Sequence, residues 1–478
     1  MATTSAPEKK FSVKLFVMLP IVIAITLFLW LVPTSFFGID GLTVVEQRTI
    51  AIFVFAALMW MFEIIPTWTT SVLIIVVMLL TISDSSVSFM KGPDMGTFVS
   101  YKSLLSTFAD PVIMLFLGGF VLAIAATKVG LDVQLARVLL WPFGKKPQFV
   151  LLGFLFVIGL FSMFMSNTAT AAMMLTFLAP VLKTLPPDGK GKIGLALAIP
   201  IAANLGGIGT PIGTPPNAIA LSYLNDTLHM GVGFGDWMLL MVPYVIVMLL
   251  IAWGLLLWMF PFKAKSIELN ITGNARRTPH TYIVWATFAI TIILWMLDRV
   301  TGINANVVAM IPVGVFCVTG VITREDLKEI NWSVLWMVAG GFALGVALNS
   351  TGLAEHLVTA IPFGSWLPIV VLLASGFLGY FISNFISNTA AANLIVPILS
   401  AVGVGMGASL DPVGGVKTLL VGVALSTSLA MLFPISTPPN ALAHSTGLVT
   451  TRDMTKVGLI LGLIGFTIGY LMLIFVGI

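Results

Sequence analysis

Residues 149–182 and 366–400 are apolar runs too long for one bilayer crossing. Each carries the same polar triplet at its centre, Ser166-Asn167-Thr168 in "SMFMSNTATAAMM" and Ser387-Asn388-Thr389 in "SNFISNTAAANLI". In hydrocarbon every backbone polar group needs an internal partner, so a polar, non-helical turn at membrane depth survives only where it lines a buried or aqueous cavity. Each run is therefore predicted to be a re-entrant helical hairpin that enters and leaves on one side. The setting is a bilayer because 58% of the 478 residues are hydrophobic and only 9% are charged, whereas about a quarter of a soluble domain is charged.

Hydropathy predicts transmembrane helices near 11–32, 49–66, 67–83, 111–127, 192–224, 237–260, 282–298, 303–321, 334–351, 417–446 and 457–478. Eleven crossings and two hairpins describe an all-α polytopic membrane protein. The first run follows Lys9 and Lys10 and no small-residue cleavage site succeeds it, so it is expected to stay as an uncleaved span. With the amino terminus in the cytoplasm, eighteen of the 23 Lys and Arg residues fall inside; Arg48, Lys91, Lys102, Arg299 and Lys417 fall outside. That is the positive-inside bias, and it places the carboxyl terminus on the periplasmic or extracellular side of what is expected to be a bacterial inner membrane. The net charge of +4 then reports orientation and calls for no nucleic-acid partner. A single Cys317 excludes an intrachain disulfide and reads as a packing residue.

The first hairpin opens from the cytoplasm and five crossings separate it from the second, so the two open on opposite sides. A second motif pair strengthens the duplication: "GTPPNAIA" at 213–220 follows the first triplet and "STPPNALA" at 436–443 follows the second. Ser166 to Thr214 is 48 residues and Ser387 to Thr437 is 50. The chain is thus expected to divide into a tail and first helix (1–39), a first inverted repeat (40–260), a basic cytoplasmic linker (261–281) and a second inverted repeat (282–478). Paired prolines remove two backbone donors and push the preceding residue out of the helical region, so the spans at 192–224 and 417–446 must break there. Inverted repeats with broken helices at the midplane point to the binding site of a secondary transporter.

Ionisable residues are nearly absent from the predicted interior; Glu63 in "MWMFEIIP" is the clearest exception, with Asp110 nearer an interface. Glu63 reads as a structural acid. His229, His280 and His356 read as solvated residues, and His444 follows the second Thr-Pro-Pro-Asn. A site here must be assembled from neutral groups. Ser162 and Ser166 are four apart, as are Ser383 and Ser387, and each pair would share a helix face leading to its tip. Their hydroxyls, the side-chain oxygens of Asn167 and Asn388, and carbonyls near Gly213 and Ser436 would make two oxygen-lined pockets for a small hard cation, with Na+ the natural candidate and lithium or protonated water left open. The amides of Asn167 and Asn388, the hydroxyls of Thr168, Thr389, Thr214 and Thr437, and half-helix amino ends could bind two carboxylates, one per repeat.

Together, the two Ser-Asn-Thr triplets, the two Thr-Pro-Pro-Asn breaks and Glu63-Ile64-Ile65-Pro66 resemble the divalent anion/sodium symporters over nearly the whole chain after residue 40. The resemblance implies a homodimer in the lipid bilayer, with a scaffold domain and a transport domain that moves in an elevator-like manner. It implies one Na+ site on Ser162, Ser166, Asn167 and Gly213, a second on Ser383, Asn388 and Ser436, and a di- or tricarboxylate on Asn167, Thr168, Thr214, Asn388, Thr389, Thr437 and Pro438. The second hairpin has Ser383-Asn384 as well as Ser387-Asn388, which leaves open which pair serves its cation pocket. Sodium-coupled import of C4-dicarboxylates such as succinate, malate and fumarate is the favoured expectation. An exchanger of the same fold and a carrier of a sulfate-type anion are the competing ones. No His-Glu-x-x-His, Walker loop or Ser/His/Asp set suggests an enzyme.

Overall fold

The computed structural model describes residues 13–186, 189–267, 278–360 and 366–477; half of the predicted linker, with Arg276 and Arg277, and the lysines before residue 13 lie outside the described residues. Among the described residues the chain is all-helical, with one isolated bridge between Ser83 and Val99. Eight helices are long and apolar enough to cross a membrane, and seven shorter apolar helices accompany them. The expected spans at 49–66 and 67–83 appear as Val44–Phe62 and Thr67–Thr81. The first starts five residues early because Thr43 and Glu46 form a capping box that satisfies its opening amides.

Both Ser-Asn-Thr segments are helix–turn–helix hairpins. The arms of the first are Pro147–Phe164 and Asn167–Thr184, and those of the second are Pro368–Ser383 and Asn388–Met406. Proline at N1 opens the first arm of each, where its missing N–H costs nothing. Ser166 and Ser387 cap the second arms, accepting from Ala169 N and Ala390 N at 3.2 Å each. This corrects the expectation that Ser162 shares a helix face with Ser166. The first arm stops at Phe164, and Met165 is extended at φ −125°, so the two serines sit on opposite sides of a turn. Ser383 likewise ends its arm while Ser387 begins the next.

The Thr-Pro-Pro-Asn spans are discontinuous. Gly191–Gly207 stops, the chain turns through 208–214, and Pro215–Ser222 restarts; Gly415–Ser428 stops and Pro438–Ser445 restarts. Pro215 and Pro438 stand at N1, so the motif that ends one helix opens the next. Each restarted half-helix packs against the broken span of the other half of the chain.

Buried Trp60, Trp237, Trp295 and Phe154 anchor the interior, while Trp258, Val318 and Phe475 are more than three-quarters exposed and form the outer, apolar surface. Cys317 is exposed on that surface and is not the packing residue expected. His356 also departs from expectation. Its Nδ1 lies 2.8 Å from Oε1 of buried Glu46, which brings the short helix Leu353–Ala360 against Val44–Phe62.

The first hairpin arm crosses Gly191–Gly207 with almost no space between backbones. A Cβ built on Gly206 would lie 2.3 Å from the carbonyl oxygen of Gly159. Gly206→Val should therefore lower stability by about 1–3 kcal/mol through overpacking, seen as a lower melting temperature in detergent, whereas Gly254→Val, with open space around it, should change little.

Candidate functional site

A cavity of about 560 Å³ lies where the hairpin tips and broken helices meet. Its wall includes Ser166, Asn167, Thr168, Gly213 and Thr214 from the first half and Ser387, Asn388, Thr389, Ser436, Thr437 and Pro438 from the second. Residues 221 to 223 positions apart in sequence thus line one space. Ser162 and Ser383 are fully buried behind the tips. His444 stands away from the cavity, at the far end of Pro438–Ser445, 3.4 Å from Thr451 Oγ1.

Six helices begin at this cavity. Thr67–Thr81, Asn167–Thr184, Pro215–Ser222, Trp332–Ser350, Asn388–Met406 and Pro438–Ser445 each place a cap or first-turn residue in its wall. The opening amides of a helix have no partner within it and carry a partial positive charge. Among the described residues no Lys, Arg or His side chain lines the cavity, and Glu63 is the one ionisable residue in its wall. The partial positive charge that these amino ends offer is of the kind that suits an anion.

Behind each tip the same bonds recur. Ser162 Oγ lies 2.6 Å from the inward atom of the Asn167 amide and 2.7 Å from Ala203 O, and Ser383 Oγ lies 2.8 Å from both Asn388 Oδ1 and Thr427 O; each hydroxyl has one proton for one of its two neighbours. The inward atom of the Asn167 amide also lies 3.3 Å from Ala203 O and 3.0 Å from Gly213 O. This amide has two orientations, of which only the nitrogen-inward one is satisfied by protein groups alone. Turned nitrogen inward, it donates to Ser162 Oγ, Ala203 O and Gly213 O. Turned oxygen inward, it completes a ring of hydroxyl, amide and carbonyl oxygens, the donor set of a small hard cation. Among the described residues no group of three His, Cys, Asp or Glu side chains offers an alternative metal site.

In the second half Ser436 is already engaged: its hydroxyl donates to Asn384 O at 2.8 Å and accepts from Phe433 N at 3.1 Å. Asn384 is engaged too, donating to Tyr380 O and accepting from Leu432 N. Of the doubled pairs, Ser383 and Asn388 line the pocket, while Asn384 fastens the tip to the broken helix. In the first half the equivalent fastening belongs to Thr210, whose hydroxyl donates to Met163 O and accepts from Gly213 N.

Three asparagines escaped the sequence reading. Asn217 Nδ2 donates to Gly207 O (2.9 Å), Ile208 O (3.2 Å) and Thr210 O (2.8 Å), and Asn440 Nδ2 to Met431 O (2.9 Å) and Phe433 O (3.0 Å). They close the carbonyl ends that the breaks leave open. Asn204 Nδ2 joins the halves by donating to Thr437 Oγ1 and Asn440 Oδ1, both at 3.1 Å. The signal was present, since Asn closes both Thr-Pro-Pro-Asn motifs. Asn440→Leu should cost about 1–3 kcal/mol for each carbonyl left without a donor, lowering the melting temperature and weakening ligand-induced stabilisation in the same thermal assay.

Comparison with known proteins agrees with this geometry. The family described as the sodium:sulfate symporter transmembrane region matches residues 13–477. An uncharacterised transporter of Schizosaccharomyces pombe is 32% identical over 88% of the chain, which spans 49% of that protein's length. The sodium-dependent dicarboxylate transporter SdcS of Staphylococcus saprophyticus is 27% identical over 91% of the chain and 87% of its own length. Among solved structures, the YdaH transporter of Alcanivorax borkumensis is similar in fold, with a TM-score of 0.52 at 13% identity, covering 90% of this chain and 98% of that one. Motifs, cavity and family match lead to one assignment: the chain is an integral membrane transporter belonging to the sodium:sulfate symporter family, the divalent anion/sodium symporters.

Proposed function

We propose that the protein imports C4-dicarboxylates such as succinate, malate and fumarate, or related di- and tricarboxylates, coupled to Na+. The observation that carries this reading is the convergence of six helix amino ends on a cavity with no basic side chain among the described residues, backed by a cluster of hydroxyl, amide and carbonyl groups behind each hairpin tip. Two carboxylates match two tips, with Asn167, Thr168 and Thr214 on one side and Asn388, Thr389 and Thr437 on the other. The cation pockets are Ser162, Asn167 and Gly213 with Ala203 O, and Ser383 and Asn388 with Thr427 O. The two hairpins and broken spans would form the moving transport domain of an elevator, and Val44–Phe62, Thr67–Thr81 and the helices of 279–318 the scaffold of a homodimer.

Amide orientation gives the coupling a physical form. With its oxygen inward on Na+, Asn167 turns its NH2 toward the cavity, where it donates to a carboxylate. With nitrogen inward it shows the anion an oxygen instead. Anion affinity then rises with sodium, and by linkage sodium affinity rises equally with anion.

Labelled succinate uptake into liposomes tests the reading, under an inward Na+ gradient or equal K+, with and without internal dicarboxylate and with sulfate as competitor. Na+-dependent uptake that needs no internal substrate is expected. Uptake indifferent to Na+ that requires internal dicarboxylate would mean an exchanger, and uptake suppressed by equimolar sulfate would favour an inorganic dianion. Asn167→Ala and Asn388→Ala should each abolish uptake. Asn167→Asp should separate the two roles, keeping Na+-dependent thermal stabilisation while losing succinate uptake, because a carboxylate has no proton to donate.

A further inference from the structure

The cavity wall holds one residue whose chemistry opposes its surroundings. Glu63 follows the last turn of Val44–Phe62 and occupies the left-handed region at φ 44° and ψ 48°. A non-glycine residue there is strained, and Asn or Gly would adopt the conformation more readily. The helix end beside it carries partial negative charge, which disfavours a carboxylate. The side chain is exposed, and among the described residues its carboxylate has neither a hydrogen bond nor an ion pair. Backbone strain, an adverse dipole and lack of a partner leave Glu63 no role in stability. Its charge faces a space in which every other ionisable type is missing.

We propose that Glu63 is a charge filter that sets which carboxylates the cavity accepts. The proposal rests on the reading of the cavity as an anion site. A fixed negative charge repels an entering anion in proportion to the anion's own charge, so the penalty is greater for a tricarboxylate than for a dicarboxylate of the same backbone length. The helix amino ends attract both, and Glu63 subtracts most from the more highly charged. The result is a preference for dianions imposed by a wall residue outside the hairpin tips, independent of the fit of Asn167 and Asn388 to the carboxyl groups. Strain retained at one position of a cavity wall is the mark of a residue kept for what it does to a ligand.

The experiment compares succinate with tricarballylate, its three-carboxyl counterpart, in liposomes under an inward Na+ gradient at about pH 8, above the carboxyl pKa values. Glu63→Gln should raise kcat/KM for tricarballylate relative to succinate by about tenfold, the scale of one full charge removed from a partly desolvated site. Since each substrate is compared with itself in wild type and variant, differences in size cancel. Glu63→Asn supplies a second neutral side chain suited to φ 44°; it should give the same shift in ratio and raise the melting temperature, so the test stands even if the glutamine variant folds poorly. Glu63→Asp should keep the wild-type ratio. An unchanged or reversed ratio in the neutral variants, with succinate uptake intact in wild type, would overturn the charge filter alone. Absence of all carboxylate uptake by the wild type would overturn the anion site and the filter with it.

Discussion

Breaking a helix inside a bilayer exposes carbonyls that no water can satisfy, and the structure depends on how that debt is met. Two asparagine side chains meet it. Asn217 and Asn440 close the carbonyl ends of the spans that stop at Gly207 and Ser428, each from the first turn of the half-helix that follows. Once those ends are closed, the restarted helices are free to present their amino ends to the cavity, and the hairpin tips have a rigid surface against which to fold.

The duplication was legible because it is written in polar residues on an apolar background. Two triplets and two Pro-Pro breaks revealed the hairpins, the discontinuous spans and about half of the residues of the cavity wall, while Thr67, Phe116, Phe120, Asn331 and Met337 carried no such signal. Less legible was the division of labour within the motifs. Spacing put Ser162 and Ser166 on one helix face, but the turn at Met165 made one a pocket residue and the other a cap. Spacing also left Ser383-Asn384 and Ser387-Asn388 equivalent, and only the bonds of Asn384 to Tyr380 and Leu432 separated them. Contacts between residues far apart in the chain leave no periodic trace, which is why Asn204, Thr210 and His356 were passed over or misread.

The halves are alike in plan and different in detail. Thr210 fastens the first tip and Ser436 the second, from positions that do not correspond in the two motifs. Asn204 breaks the symmetry further, because its amide reaches across to Thr437 and Asn440. The broken span of the first half is thus bonded directly to the restarted half-helix of the second.

The absence of Lys, Arg and His from the cavity wall has a kinetic consequence. An anion held by an arginine must break an ion pair in a low-dielectric space before it can leave, and that desolvated pair sets a slow exit. Helix amino ends hold their ligand with many small, fixed dipoles that neither titrate nor follow it. If the cavity takes the anion proposed for it, such a wall favours release over tight capture once the coupling cation has left.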